Sequence, residues 1–369
     1  MDVRLDETQE MLKASARDFL AESCPTSSVR EARGGEEGFS RALWKSMAEL
    51  GWQGLALPER AGGSDMAFLD LSLLVEELGR ACVPSPFVET IAGCALTMAT
   101  SGRKEADKLA MAIAAGDSIV VPAFHGARDS QGFESLPILS RKGDAYVLQG
   151  TAMFVPYAAS ANLLLCAARS ADTPQRDYLL VIPTDAEGVL CSPLISMSDQ
   201  RPHEVHYDSV TIYDDAILYE GQAATEARQR AIRHIEVARC CDVAGSLQWV
   251  LDDTVAYAKE RKQFGQPIGS FQSLQHYCAD MRIMLDGLRT ASYYAAWQIG
   301  EECDAERSIA VACAYAHRVV PTIVGLAHQI HGAMGVTQEH DLHLYTTHAL
   351  APSHGLAPMD EYRELVLQS

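Results

Sequence analysis

Apolar and polar positions change rhythm twice along the chain. In the first third, the segment MAFLDLSLLVEELGRAC sets Leu69, Leu73, Leu74, Leu78 and Cys82 on one stripe at helical spacing. Glu76, Glu77 and Arg80 fall largely off that stripe, so the pattern predicts an amphipathic helix. Pro58, Gly62 and Gly63 break the chain before it, and Pro84 and Pro86 close it. From about Ser118 the period shortens. The runs IVVPAF, AYVLQGT, NLLLCAA, YLLVIP and EVHYDSVTIY are rich in β-formers, and Lys142-Gly143-Asp144 has turn chemistry between two of them.

After Gly221 helix returns. Gln222 to Glu260 contains no proline and a single glycine, which predicts one long helix of about 58 Å at 1.5 Å per residue. The loop 263–269 follows, then helices over roughly 271–302 and 304–331, with Pro321 placed to kink the second. The expected organisation is an α-helical domain over 1–116, a β domain over 117–220 and an α-helical bundle over 221–369. No internal repeat of solenoid length interrupts that order.

Charge narrows the partners. Thirty basic against 49 acidic residues leave a net charge of −19, which repels nucleic acid phosphates and anionic lipid headgroups. At 48% hydrophobic and 21% charged, the chain has the makings of large cores. The N-terminus lacks the basic and apolar regions of a secretory signal, and Arg, Asp, Gln or His interrupts every apolar stretch that could span a bilayer. Ten scattered cysteines without a CxxC pair read as reduced thiols of a cytoplasmic protein.

No phosphate loop, GxGxxG, HExxH or GxSxG is present. His328 and His331, and likewise His340 and His343, stand three apart, a spacing that suits metal ligation. Neither pair has a third ligand nearby in sequence, so the expectation is that no metal is bound.

The segment Tyr257–Asp280, YAKERKQFGQPIGSFQSLQHYCAD, resembles the signature of the acyl-CoA dehydrogenase flavoproteins. Trp44–Phe87 is similar to that family's N-terminal helical domain, and Gln329–Tyr345, QIHGAMGVTQEHDLHLY, to its QxxGGxGxTxE block. The resemblance implies an N-terminal helical domain, a middle β-barrel or sandwich and a C-terminal four-helix bundle. It also implies FAD, an acyl-CoA substrate and electron-transfer flavoprotein as redox partner.

The chemistry of the matching residues suits an adenylate half. Arg261 offers a forked cation for a phosphate. Gln272 and Gln329 offer amide donors and acceptors, Phe264 a flat apolar surface, and Thr337 a hydroxyl. Gly332 and Gly335 let the backbone come close. By resemblance, these residues reach across a subunit interface to the FAD of a neighbour.

The family's reaction removes an α-proton while the β-hydride passes to the flavin, so it needs a carboxylate base. The family's Glu in a YEG-like turn is missing from TTHALAPSHGLAPMDEYRE, where Gly355 has no Glu before it. A second family position falls on Ile235, with Glu236 next to it. Two turns on, Asp242 shares the face of Ile235, since seven residues turn through about 700°. Set among Cys241, Val243 and Ala244, Asp242 is the candidate base.

The flavin side departs further. VPAFHGARDS stands where the family has a TEPGAGSD-like loop, and GTAMFVPYAAS places Pro156, which has no N–H, where a hydroxyl usually contacts the flavin edge. An intact adenylate side beside an altered flavin side resembles the α2β2 steroid-degrading branch. There, two homologous subunits share FAD sites and desaturate a sterol or bile-acid side chain. Two alternatives stay open: a catalytically silent partner, and a flavin oxidase or monooxygenase of the same fold.

Overall fold

The computed structural model describes residues 5–128, 134–173, 175–197, 200–301, 303–354 and 359–368. The N-terminal layer contains α1 (Glu7–Ser23), α2 (Thr26–Gly34), α3 (Arg41–Glu49) and α4 (Phe68–Arg80). A π-helical segment, Val88–Ala95, then runs into α5 (Leu96–Ala99), and α6 (Lys104–Ala114) ends the layer. Asp6 opens α1 with a reciprocal capping box to Gln9.

The strands are β1 (Val120–Ala123), β2 (Ala127–Arg128), β3 (Glu134–Ser135), β4 (Ile138–Lys142) and β5 (Ala145–Pro156). They continue as β6 (Leu163–Ser170), β7 (Asp177–Pro183), β8 (Val189–Pro193), β9 (Pro202–Ile212) and β10 (Ile217–Glu220). The main sheet runs β10-β7-β6-β4-β5-β9-β8. Strand β6 pairs with β7 along its length, and with β1 and β4 at opposite ends, so the sheet divides there. All five predicted runs lie in strands; in the main sheet β4, β8 and β10 are additional, being short and only weakly alternating, and β2 and β3 add a separate two-residue pair. Gly143, at φ +64°, turns β4 into β5 where the Lys-Gly-Asp turn is expected.

The C-terminal layer holds α7 (Gln222–Glu260), the small hairpin β11 (Lys262–Gln263) and β12 (Gln266–Pro267), and α8 (Gln272–Gly300). It ends with α9 (Glu306–His331), α10 (Leu342–His354) and α11 (Met359–Gln368). Helix α7 spans the proline-free stretch from end to end. Helix α9 runs on through Pro321, whose side faces solvent. By length and mean hydropathy alone α9 and the turn after it, Glu306–Val336, could cross a bilayer, but His317 and Arg318 interrupt it. Its apolar stripe, from Ile309 through Val320 to Ala327, is instead buried within the bundle.

Helix α4 corrects the simple amphipathic picture. It is buried on nearly every side, including Glu76 and Glu77. These carboxylates are matched by cations from other helices. Lys13 Nζ lies 2.7 Å from Glu76, Arg289 Nε 2.9 Å from Glu76, and Arg17 Nη2 2.8 Å from Glu77; Tyr293 also donates its hydroxyl to Glu76. Burial alone would raise the Glu76 carboxyl, yet Lys13 and Arg289 hold it below its ordinary range.

Helices α4 and α7 touch backbone to backbone. A Cβ on Gly79 would lie 1.9 Å from the Asp242 carbonyl oxygen, and one on Gly245 would lie 1.8 Å from that of Glu76. No side chain larger than hydrogen fits at either crossing. That contact brings the middle of α7 against α4 and the segment after it.

Candidate active site

Helix α10 lies along α7 through a series of contacts. Ser246 donates its hydroxyl to the Tyr345 carbonyl at 3.0 Å, and the Trp249 and Tyr345 rings stack at 3.6 Å with an interplanar angle of 3°. One turn beyond Tyr345, His348 stands over Asp242, with Nε2 2.9 Å from Oδ2. Both side chains are almost wholly buried. Asp242 thus sits where the sequence expectation needs it, off solvent and on the inner face of α7. Its partner His348 was not found from sequence, because nothing in the pattern brings residues 106 apart together.

Asp242 and His348 line a narrow cleft between α4, the π-helical segment, α7, α10 and the end of β5. Its space totals about 490 Å³ including the open mouth. Leu78, Val83, Phe87 and Val88 form an apolar wall; Glu89, Arg239, Gln200 and Tyr157 add polar groups. Arg239 Nη2 lies 3.2 Å from Glu89 Oε1, and Gln200 Nε2 donates to the same oxygen at 3.1 Å. Glu89 sits on π-helical backbone, which bulges and re-aims a side chain.

The other carboxyl candidates separate cleanly. Ile235 is buried against Gly93. Glu236 accepts a 2.5 Å hydrogen bond from Tyr362, and burial holds its carboxyl above the ordinary range, but it is not among the residues lining the cleft. Gly355, in the stretch that lacks the usual base, lies outside the described residues.

The predicted adenylate residues occupy different ground. Arg261, Phe264, Gln272, Gln329 and Gly332 are exposed, Phe264 to 90% of its full extent, while Gly335 is buried and Thr337 half-buried. Arg261 makes no ion pair among the described residues. An open guanidinium in so acidic a chain fits a phosphate group. Gly332 has φ +60° with open space where a Cβ would stand, which leaves room for a ligand's close approach. None of these residues lines the Asp242 cleft. On the flavin side, Pro156 ends β5 and Phe154 and Tyr157 both adopt positive φ; Asp129 and Ser130 of the altered loop lie outside the described residues.

The histidines pair differently from their spacing. His328 Nε2 meets the Thr346 hydroxyl at 3.2 Å, and His343 Nδ1 the His340 carbonyl at 2.7 Å. The third ligand missing from sequence is Asp253, which gathers His331 and His340 into a cluster of metal-like spacing. His331 Nε2 lies 3.2 Å and His340 Nε2 3.8 Å from Asp253 Oδ2. His340 Nδ1, however, accepts the Leu342 N–H. In the neutral ring that puts the proton on Nε2 and removes it from a ligand set.

Comparison with known proteins agrees with this architecture. The model of the acyl-CoA dehydrogenase N-terminal domain matches residues 6–116, and that of the C-terminal domain residues 225–355. Acyl-CoA dehydrogenase IpdE2 of Mycolicibacterium smegmatis is 27% identical, over 97% of this chain and 97% of its own. Probable acyl-CoA dehydrogenase YngJ of Bacillus subtilis is 28% identical, over 92% of each. Among solved structures, the ChsE4–ChsE5 complex of Mycobacterium tuberculosis superposes with a TM-score of 0.91 at 23% identity, covering 100% of this chain and 98% of the other. A variant of the Tcur3481–Tcur3483 steroid ACAD does so with a TM-score of 0.87 at 26% identity, covering 98% and 97%.

Proposed function

The chain belongs to the acyl-CoA dehydrogenase family of oxidoreductases, and from that premise we propose that it α,β-desaturates an acyl-CoA thioester with Asp242 as the base. The observation that carries this reading is a carboxylate buried at a cleft wall and oriented by a second titratable group. Asp242 takes the α-proton, and the His348 imidazole 2.9 Å away steadies the carboxyl in both protonation states. The apolar wall of Leu78, Phe87 and Val88 keeps water from the acidified carbon. Bound FAD would supply the acceptor for the β-hydride. Arg261, Phe264, Gln272, Gln329, Gly332, Gly335 and Thr337 would hold its adenylate half, on a face that here is open for a neighbouring subunit's cofactor.

The acyl group in this reading is a steroid side chain, and the assembly an α2β2 heterotetramer with a homologous subunit. The similarity to a two-component steroid ACAD supports both. Electron-transfer flavoprotein takes the electrons, and the free thiols fit a cytoplasmic setting. Pro156 at the flavin-facing strand favours one second reading, a catalytically silent partner that completes a sister chain's cofactor site.

The visible spectrum and native mass of the chain purified alone, then with its sister chain, test the proposal. Flavin that bleaches anaerobically on adding a steroid acyl-CoA supports desaturation. A colourless chain that leaves the sister's activity intact when Asp242 is replaced establishes the silent partner.

A further inference from the structure

One carboxylate oxygen faces both ends of the loop assigned to the adenylate. The loop runs from Gly332 to Glu339, with His331 immediately before it and His340 immediately after. His331 Nε2 lies 3.2 Å and His340 Nε2 3.8 Å from the same atom, Asp253 Oδ2 on α7. Tyr257, one turn along α7, stacks on the His331 ring at 4.5 Å and meets His340 edge-on at 6.3 Å. One further turn brings Arg261, so the candidate phosphate ligand and this grip share one end of α7. Between the two histidines only Gly335 is buried, so little packing fixes the loop.

Proton placement shows that the grip is incomplete. His331 Nδ1 lies 2.9 Å from the Ala327 carbonyl, which can only accept, so that nitrogen carries the hydrogen. In the neutral ring Nε2 then has a lone pair, and it stands against a carboxylate oxygen. His331 Nε2 and Asp253 Oδ2 are both buried without a hydrogen-bond partner. His340 is the reverse case. Its Nδ1 accepts the Leu342 N–H at 3.1 Å, which leaves the hydrogen on Nε2, the nitrogen 3.8 Å from Asp253. That N–H is the cluster's one donor to Asp253 Oδ2, and it stands about 1 Å beyond hydrogen-bond length.

Resting on the reading that Gly332, Gly335 and Thr337 hold the adenylate half of FAD, we infer that cofactor binding closes this grip. The loop draws in, and His340 moves about 1 Å to donate Nε2–H to Asp253 Oδ2. The buried oxygen gains the partner it lacks. Ordering so exposed a loop costs entropy, which the bound adenylate offsets, and the new hydrogen bond adds to the affinity. Asp253 is then a positioning residue: it sets the loop that touches the cofactor and makes no contact with FAD itself.

Equilibrium dialysis of FAD against the flavin-free protein, with its sister chain if it needs one, tests this together with the flavin-free melting temperature. Asp253→Asn can turn an amide N–H to the His331 lone pair but then opposes the His340 N–H. The variant should therefore weaken FAD about tenfold, the worth of a hydrogen bond to a charged group, without lowering the flavin-free melting temperature. His340→Asn, which can still cap Leu342, should weaken FAD to the same extent. The double variant should bind FAD as weakly as either single one, the non-additivity of two residues that share a bond. A lowered flavin-free melting temperature in Asp253→Asn, or additive losses in the double variant, overturns the inference, because the pair is then structural. If Arg261→Gln weakens FAD and Asp253→Asn does not, the grip fails and the adenylate assignment stands. If neither weakens FAD, the assignment itself fails and the inference with it.

Discussion

His348 Nε2 and Asp242 Oδ2 stand 2.9 Å apart, on helices that meet only because α10 folds back along α7. This pair makes the base assignment testable. Asp242→Asn should abolish turnover and leave flavin content and melting temperature near wild type. His348→Gln, which keeps a polar group beside Asp242 but cannot take a charge, should lower kcat by about 10²-fold. Glu236→Gln, off the cleft, is the control. If it alone kills turnover, Asp242 is not the base.

Arg261 is exposed and makes no ion pair among the described residues, so its loss should be read in cofactor binding and not in folding. If Arg261 holds the FAD phosphate as proposed, Arg261→Gln would remove a charge-assisted contact of about 1.5–3 kcal/mol, weakening FAD roughly 10- to 100-fold. Equilibrium dialysis measures this directly. The melting temperature of the flavin-free protein should not move.

Stability should fall with acid in a window set by His234. Burial, with Arg230 and Arg233 nearby, pushes its imidazole down to about 4 from an ordinary 6.5, and its ring lies against Phe68 at 4.8 Å. Below about pH 6.5 the unfolded chain takes up a proton that the native state refuses, so stability declines until the native imidazole titrates near pH 4. The full drop is roughly 3 kcal/mol at about 1.4 kcal/mol per pH unit. Urea midpoints at pH 7 and pH 4.5 should show it, and His234→Gln should flatten the difference.

Glu76 serves two cations and a tyrosine hydroxyl at once. Glu76→Gln leaves Lys13 only Glu77 and Arg289 only Asp286 as carboxylate partners, each at 3.4 Å, so the loss should be appreciable but below the about 3–5 kcal/mol of a fully broken buried ion pair. A lowered urea midpoint at constant m-value is the expected signature. Because the native carboxyl titrates below its ordinary range, the stabilisation is complete above that range and disappears as pH falls through the native value.

The order of layers and the long helix α7 were legible in sequence, because periodicity and the placement of proline and glycine are local properties. The strand runs and the Gly143 turn were legible for the same reason. The family blocks further singled out Arg261, Gln272 and Gln329 as a set, and the helical period put Asp242 on the inner face of α7. Tertiary structure decided the rest. Glu76 and Glu77 fell off the apolar stripe in sequence, and only the packing brought cations from α1 and α8 to them. His331 found its carboxylate in Asp253 on another helix, not in its neighbour His328. Arg239, Glu89 and His348 became one cleft only when Gly79 and Gly245 let α4 and α7 touch. A sequence records the chemistry each residue brings and the rhythm of its own element. Which buried charges meet depends on how those elements pack, and that close packing is where desolvation makes each meeting matter.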